Sequence, residues 1–275
     1  MSPSISVLRR GILIAGLIAL ETFVRDRTVE VLRNLERWPR AYEELPEKLR
    51  IAARLNALSH LQQFAKMLKR QGDDYEAELK TEIAKMSSGD GTAIQFTKFV
   101  AGDFTGNLSD TGLKELLGSL QVADCWATFR IFSSAVGLGV PSVQEIVKGT
   151  VRKRHRSAHS QSYVPTATEI AELPSDLLCI AMCFDVSTTA SLEQSLAVSQ
   201  RWAAGETAWR DGVILYFTEP HSRGVKVTKE GSARALRIVG QGSEVGSVIP
   251  RPSPGNIAVV VNHSESGIPQ SWTIM

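Results

Sequence analysis

Residues 199–217 read SQRWAAGETAWRDGVILYF, and the chain changes character inside this stretch. On its N-terminal side apolar residues recur every three or four positions, the period of a helix with one buried face. From Trp209 onward the apolar residues come instead in short β-branched or aromatic runs: VILYF (213–217), VKV (225–227), ALRIV (235–239), SVI (247–249) and IAVVV (257–261). Gly, Pro, Ser and Asn separate these runs, which is strand-and-turn chemistry. The fold class read from this is α+β, an all-helical domain over residues 1–204 followed by a small β-rich domain over 205–275. About 65 residues of short strands are thin on core by themselves, so the sheet is expected to pack on the helices.

Upstream of the switch, Leu13, Leu17, Leu20, Val24, Val31 and Leu35 mark one long amphipathic helix ending near Trp38-Pro39. A second helix is expected from about Pro46 to Arg70 and a charged, exposed one from Asp73 to Met86, broken by Gly89, Asp90 and Gly91. A loop from Gly102 to Asn107 leads to Ser109-Asp110 and a helix through Leu113, Leu116, Leu117 and Leu120, then an apolar stretch from Trp126 to Val140. Ser142 and Glu145, and again Thr166 and Glu169, have the spacing of a capping box, so helices are placed to start at Val143 and after Thr166. The last helical region runs to about Trp202.

The composition is that of an ordinary globular protein, 43% hydrophobic and 22% charged, and a net charge of +2 leaves any basic site to be local. Arg9 and Arg10 precede an apolar run from Gly11 to Leu20, which is too short to span a bilayer and continues without a cleavage signal into ETFVRDRTVEVL. It is read as a buried first helix, with no membrane partner. Cys125, Cys179 and Cys183 each sit in apolar sequence, as free thiols in a reducing compartment do, and none belongs to a set with zinc-ligand spacing. The location expected is cytoplasmic, with no metal and no cofactor.

The densest basic cluster is TVRKRHRSAHS (150–160), with Arg152, Lys153, Arg154 and Arg156 and two of the five histidines, His155 and His159. At about 100° per residue, Val143, Ile146, Val147, Thr150, Val151, Ser157 and Ala158 form one inward stripe, and Arg154 falls at its centre. An inward guanidinium is costly unless an anionic or polar group meets it. His155, His159 and Arg152 share the adjoining flank, with the histidines four apart. A histidine can take the 2′-hydroxyl proton of RNA or protonate the leaving 5′-oxygen, and a fixed arginine can stabilise charge on five-coordinate phosphorus. Arg152, Lys153 and Arg156 are the candidates for holding the backbone. No carboxylate cluster accompanies them, which disfavours two-metal hydrolysis.

The run Arg154-His155-Arg156-Ser157-Ala158-His159 resembles the motif of the HEPN superfamily, an Arg and a polar residue, three further residues, then a His. It is most similar to the form in RiboL-PSP-HEPN-type domains. The segment Leu20-Glu21-Thr22-Phe23-Val24 looks like the family's acidic first-helix segment, Asn107-Leu108-Ser109 leading into LKELLGSLQV is similar to a second family stretch, and PTATEI (165–170) resembles the start of its final helix. The resemblance covers most of residues 7–200. It implies an up-and-down helical bundle that pairs two motifs in one metal-independent RNA-cleaving site, with Arg154, His155 and His159 as its catalytic residues. His155 stands where Asn is usual, Ser160 where Gly often follows, and the β-rich tail is outside the pattern.

The expected activity is that of an endoribonuclease acting on RNA as a homodimer in a toxin, defence or RNA-processing setting, with an antitoxin or other regulatory protein as a possible restraint. The alternative is a non-catalytic HEPN module that binds RNA or a protein partner. A two-fold axis near the helix from Val143 to Ser160 would pair the motifs. Glu21 either orients a motif arginine, as acidic residues do elsewhere in the superfamily, or pairs with Arg25 four residues on. His60 reads as a core-edge residue, and Trp126, Phe129 and Phe132 read as core rather than as a base-stacking surface.

Overall fold

The structure, a computed structural model, describes residues 3–89, 93–102, 108–240 and 243–275. It is an α+β fold in which helices fill the first three quarters of the chain and a five-stranded sheet the last. The helices are α1 (Pro3–Leu35), α2 (Glu47–Ile51), α3 (Ala57–Gln71), α4 (Tyr75–Met86), α5 (Asp110–Ser119), α6 (Cys125–Ala135), α7 (Val143–His159), α8 (Ala167–Ala197) and α9 (Ser199–Ala203). Between α2 and α3 the backbone continues as a π-helical stretch, Ala52–Asn56, so the helix expected from Pro46 is one run with a widened turn. Of the two capping boxes, only Thr166 and Glu169 close reciprocally. Ser142 Oγ accepts from the Glu145 N–H at 3.2 Å, while the Glu145 carboxylate takes Lys148 Nζ at 3.0 Å instead. The loop expected before Ser109 falls largely on residues 103–107, outside those described, as do Asp90 and Gly91.

All six apolar residues that marked the first helix are buried. The helix nevertheless has two different halves on its outer side. Beyond Thr22 that side carries Asp26, Glu30 and Arg33; from Ser4 to Thr22 it carries no charged residue. The expectation of amphipathicity along its whole length therefore holds for the second half alone.

The strands are β1 (Val213–His221), β2 (Gly224–Lys229), β3 (Ala235–Val239), β4 (Ile257–His263) and β5 (Pro269–Ile274), in the order β3-β2-β1-β4-β5. β1 and β4 are parallel, with Val213 opposite Ile257, and the other pairs are antiparallel. Side chains on a strand alternate between faces, and here both faces are covered. Val213, Leu215, Ile257, Val259 and Val261 join the helical core around Phe129, Phe132 and Phe184. Tyr216, Ala258 and Val260 point the other way, onto Val245, Val248 and Ile249. Burial on both sides explains why IAVVV reads as an unbroken apolar run.

Two strand assignments are corrected. SVI (247–249) is the end of a 3₁₀ turn, Val245–Val248, that lids the outer face of the sheet, where its apolar side chains are needed as cover. PQSWTI (269–274), not expected as a strand, is the edge strand β5 beside β4. One edge strand has one neighbour and one largely exposed row, so it carries too few apolar residues to be conspicuous.

Helices and sheet share one apolar cluster, and polar contacts add to it. Asp185 on α8 accepts from Arg27 Nε of α1 at 2.6 Å and from Trp272 Nε1 of β5 at 2.7 Å. Arg27 also donates to Thr189 Oγ1 at 2.6 Å. His263 Nε2 lies 3.0 Å from the Val136 carbonyl, and Gln194 Nε2 donates to the Ala208 carbonyl at 2.9 Å. Trp209 packs edge-on against Phe129 and Phe132, which places those aromatics in the core as expected.

Candidate functional site

α7 packs its inner face against α1, α6 and α8, with Val143, Val147, Thr150 and Ser157 buried and Ile146 and Val151 half-buried; Ala158, expected in the same stripe, is exposed. Arg154 sits in that stripe. Its Nε is fully buried and has no hydrogen-bond partner among the described residues. The hydroxyls of Thr150 and Ser157, one turn to either side, are buried and unpartnered in the same way. A buried donor left unpaired costs about 1–3 kcal/mol, so this face carries polar groups that packing does not require.

Beside Arg154 lies an open groove of about 360 Å³, lined by Arg152, Arg154 and His155 together with Lys148, Ser109 and Asp110. Lys148, Ser109 and Asp110 were not singled out in the sequence. Lys148 could have been, because it lies four and seven residues before Arg152 and His155 on the same flank. Ser109 and Asp110 come from the start of α5, which only the tertiary structure brings here. Asp110 Oδ2 accepts from Gln144 Nε2 at 2.8 Å and lies 3.9 Å from Lys148 Nζ, so the one carboxylate among the described lining residues is already engaged. Arg152, Arg154 and an imidazole then line the opening, with Lys148 at its edge paired to Glu145 and Asp110.

The rings of His155 and His159 lie side by side, centroids 4.7 Å apart, on an exposed flank. His155 lines the groove and His159 continues the row one turn on, outside it. A single chain thus brings Arg154, His155 and Arg152 to one groove and leaves His159 at its edge.

Lys153 and Arg156 face another way. The Arg156 guanidinium stacks on the Tyr163 ring at 4.1 Å. The Tyr163 hydroxyl donates to Glu169 Oε1 at 3.0 Å, and burial, reinforced by that carboxylate, pushes it up to about 12. Glu169 is held below the usual carboxylate range, first by the Thr166 backbone N–H and then by Tyr163, against the opposing effect of burial. Lys153 contributes to lowering both Glu169 and Asp176; burial nonetheless raises Asp176. The basic run therefore divides: Arg152 and Arg154 toward the groove, Lys153 and Arg156 toward the start of α8.

Glu21 is buried, and its Oε1 accepts from the Leu108 backbone N–H at 2.7 Å. It anchors the entry to α5, where Ser109 at the cap and Asp110 at the first position line the groove. It also borders a larger cavity of about 730 Å³ that meets the groove at Ser109. His60 is half-buried with Nδ1 2.9 Å from the Phe99 carbonyl, a core-edge residue with a backbone partner. Cys125, Cys179 and Cys183 are buried free thiols; burial, and for Cys183 also its neighbour Cys179, raises Cys125 and Cys183. Among the described residues no three His, Cys, Asp or Glu side chains gather as metal ligands, and no helix is long and apolar enough to cross a membrane. The chain matches no family model, no curated protein and no solved structure.

Proposed function

We propose that the protein is an endoribonuclease of HEPN type that cleaves RNA without a metal ion, at a site completed by a second copy of the chain. The observation that carries this reading is the buried, unpartnered Nε of Arg154 beside a cationic groove that ends on a pair of adjacent imidazoles. Arg152 and Lys148 would hold flanking phosphates, and Arg154 would meet the non-bridging oxygens as negative charge grows on phosphorus. One imidazole of the His155–His159 row takes the 2′-hydroxyl proton as that oxygen attacks phosphorus. The P–O5′ bond breaks and the leaving oxygen receives a proton from a second imidazole. The products are a 2′,3′-cyclic phosphate and a 5′-hydroxyl. The setting we favour is cytoplasmic, in toxin, defence or RNA-processing work that a partner protein restrains.

The position of His159 outside the groove favours a second reading, a non-catalytic module that binds RNA through the same cations. Cleavage of a mixed RNA pool in EDTA separates the two. Arg154→Ala and His159→Ala should each lower the rate by about 30- to 1,000-fold, equivalent to about 2–4 kcal/mol, with RNA affinity falling much less. A 2′-deoxy residue at the cut should block it. Cleavage of deoxy substrates, dependence on added magnesium, or full activity in His159→Ala would overturn the HEPN-type mechanism, and absence of any cleavage would leave the binding module.

A further inference from the structure

We infer that the outer face of the first half of α1 is the surface on which a second copy of this chain docks, which rests on the two-copy site proposed for the nuclease. Leu8 is 65% exposed, Val7 69%, Ile5 44%, Ile12 46% and Ile18 48%. Gly11, Ala15 and Ala19, at four-residue spacing, are exposed between them. On a helix these positions fall on one side, with Leu8, Ile12, Ala15 and Ala19 along its middle. The face runs from Ser4 to Thr22, roughly 28 Å at 1.5 Å per residue, without a charged side chain.

The two arginines inside this span do not interrupt it. Arg10 Nε donates to the Tyr163 carbonyl at 2.8 Å, a second nitrogen of Arg10 reaches the Gln161 carbonyl, and Arg9 Nη1 donates to the Pro165 carbonyl at 3.2 Å. Both guanidiniums are turned back onto the loop that follows α7. A helix built to lie on a lipid surface keeps its Lys and Arg free at the rim of the apolar face, where they meet headgroups. Here they are spent on the protein's own carbonyls, which argues against lipid as the occupant.

The area and the symmetry point to a second copy. The exposed apolar side chains amount to roughly 550 Å², near the upper end of what an ordinary monomer shows and a large part of the roughly 800 Å² per partner that a stable interface buries. A two-fold contact places the same patch on both sides, so a face without charge buries no unpaired ion when it meets itself. Gly11, Ala15 and Ala19 let two such helices approach closely while Leu8 and Ile12 fill the flanks.

Light scattering of the full chain from 1 to 50 µM tests this, with Leu8→Glu and Ile12→Glu combined and helix content checked by circular dichroism. The expected result is a dimer for the natural sequence and, for the variant, at least a 100-fold weaker association with unchanged helicity. As a second measurement, Ile12→Cys alone should give a covalent dimer with a short bismaleimide, since Cys125, Cys179 and Cys183 are buried. A dimer that the double variant leaves intact, or that Ile12→Cys does not cross-link, overturns the assignment of this face and spares the two-copy reading. A monomer throughout overturns both, and so does a monomer that binds phosphatidylcholine–phosphatidylglycerol vesicles through Leu8 and Ile12. Dissociation by the double variant with RNA cleavage undiminished keeps the face and removes the composite site.

Discussion

Arg27 and Arg154 are both arginines on helix faces that pack inward, and they end differently. Arg27 meets Asp185 and Thr189 across helices and Glu30 on its own helix, and through Asp185 it is tied to Trp272 on the last strand. Arg154 has its Nε buried with no partner among the described residues. The first arrangement is what a structural charge needs, a geometry in which Coulomb attraction and hydrogen bonds offset desolvation. The second leaves one buried donor, Nε, unused among the described residues while the side chain borders an open groove. A charge that the fold does not satisfy is a better pointer to work on a ligand than a charge that it does.

The largest effect expected from this comparison is removal of the sheet. Truncation after Ala204 takes away Trp272 and uncovers the apolar side of α8, so the helical part should lose its cooperative thermal transition and bind a hydrophobic dye. A sharp transition in the truncated chain would show that the division at residue 204 is also one of folding. Next comes Asp185→Ala, which strands Arg27 and Trp272 Nε1 together and should cost about 3 kcal/mol in denaturant unfolding. Arg154→Met should change stability by less than about 1 kcal/mol in either direction, because an unpaired donor is removed along with the charge. If the two substitutions cost the same, the contrast drawn between these arginines is wrong.

Glu82 offers the smallest and most specific check. Its buried carboxylate accepts from Lys85 Nζ at 2.7 Å and Thr97 Oγ1 at 2.5 Å. Burial alone would raise it, but these hydrogen bonds and the charges of Lys85 and Lys98 outweigh burial and hold it below its ordinary 4.5. A carboxylate lowered in the folded state stabilises above the unfolded value, and that contribution is lost as pH falls through the lower folded value. Glu82→Gln should therefore cost about 1 kcal/mol at pH 7, with the difference from the natural protein shrinking as pH falls below the unfolded carboxylate value and through the lower folded one. A difference that persists into acid would mean that packing, not charge, sets the effect.

Much of the fold was legible because its signals are local. The period of Leu13, Leu17 and Leu20, the Thr166–Glu169 cap and the continuous run IAVVV each report burial along one element. PQSWTI escaped notice because an edge strand needs few apolar residues, and SVI misled because a covering turn needs as many as a strand does. The site was half legible. Helix geometry placed Arg154 inward and set His155 beside His159, but it says nothing about partners from elsewhere in the chain. Hence Ser109 and Asp110 were not read as part of the site, the turn of Lys153 and Arg156 toward the start of α8 was not visible, and neither was the hydrogen bond that Glu21 accepts from Leu108. The outer side of α1 is illegible for the same reason: the period of the inward residues is silent about what stands opposite them.

The sheet that completes the core is encoded after nearly all of the helices it covers. Made in chain order at about 5–20 residues per second, the segment from Trp209 to Ile274 takes roughly 3–13 s to appear after the helices are complete. During that interval the side of α8 that β4 and β5 will cover has no sheet over it, and Asp185 lacks its tryptophan. The nascent chain thus passes through a stage in which one side of its long central helix α8 is open to whatever else is in reach. The order of elements along the chain, rather than the stability of the finished protein, sets how long that exposure lasts.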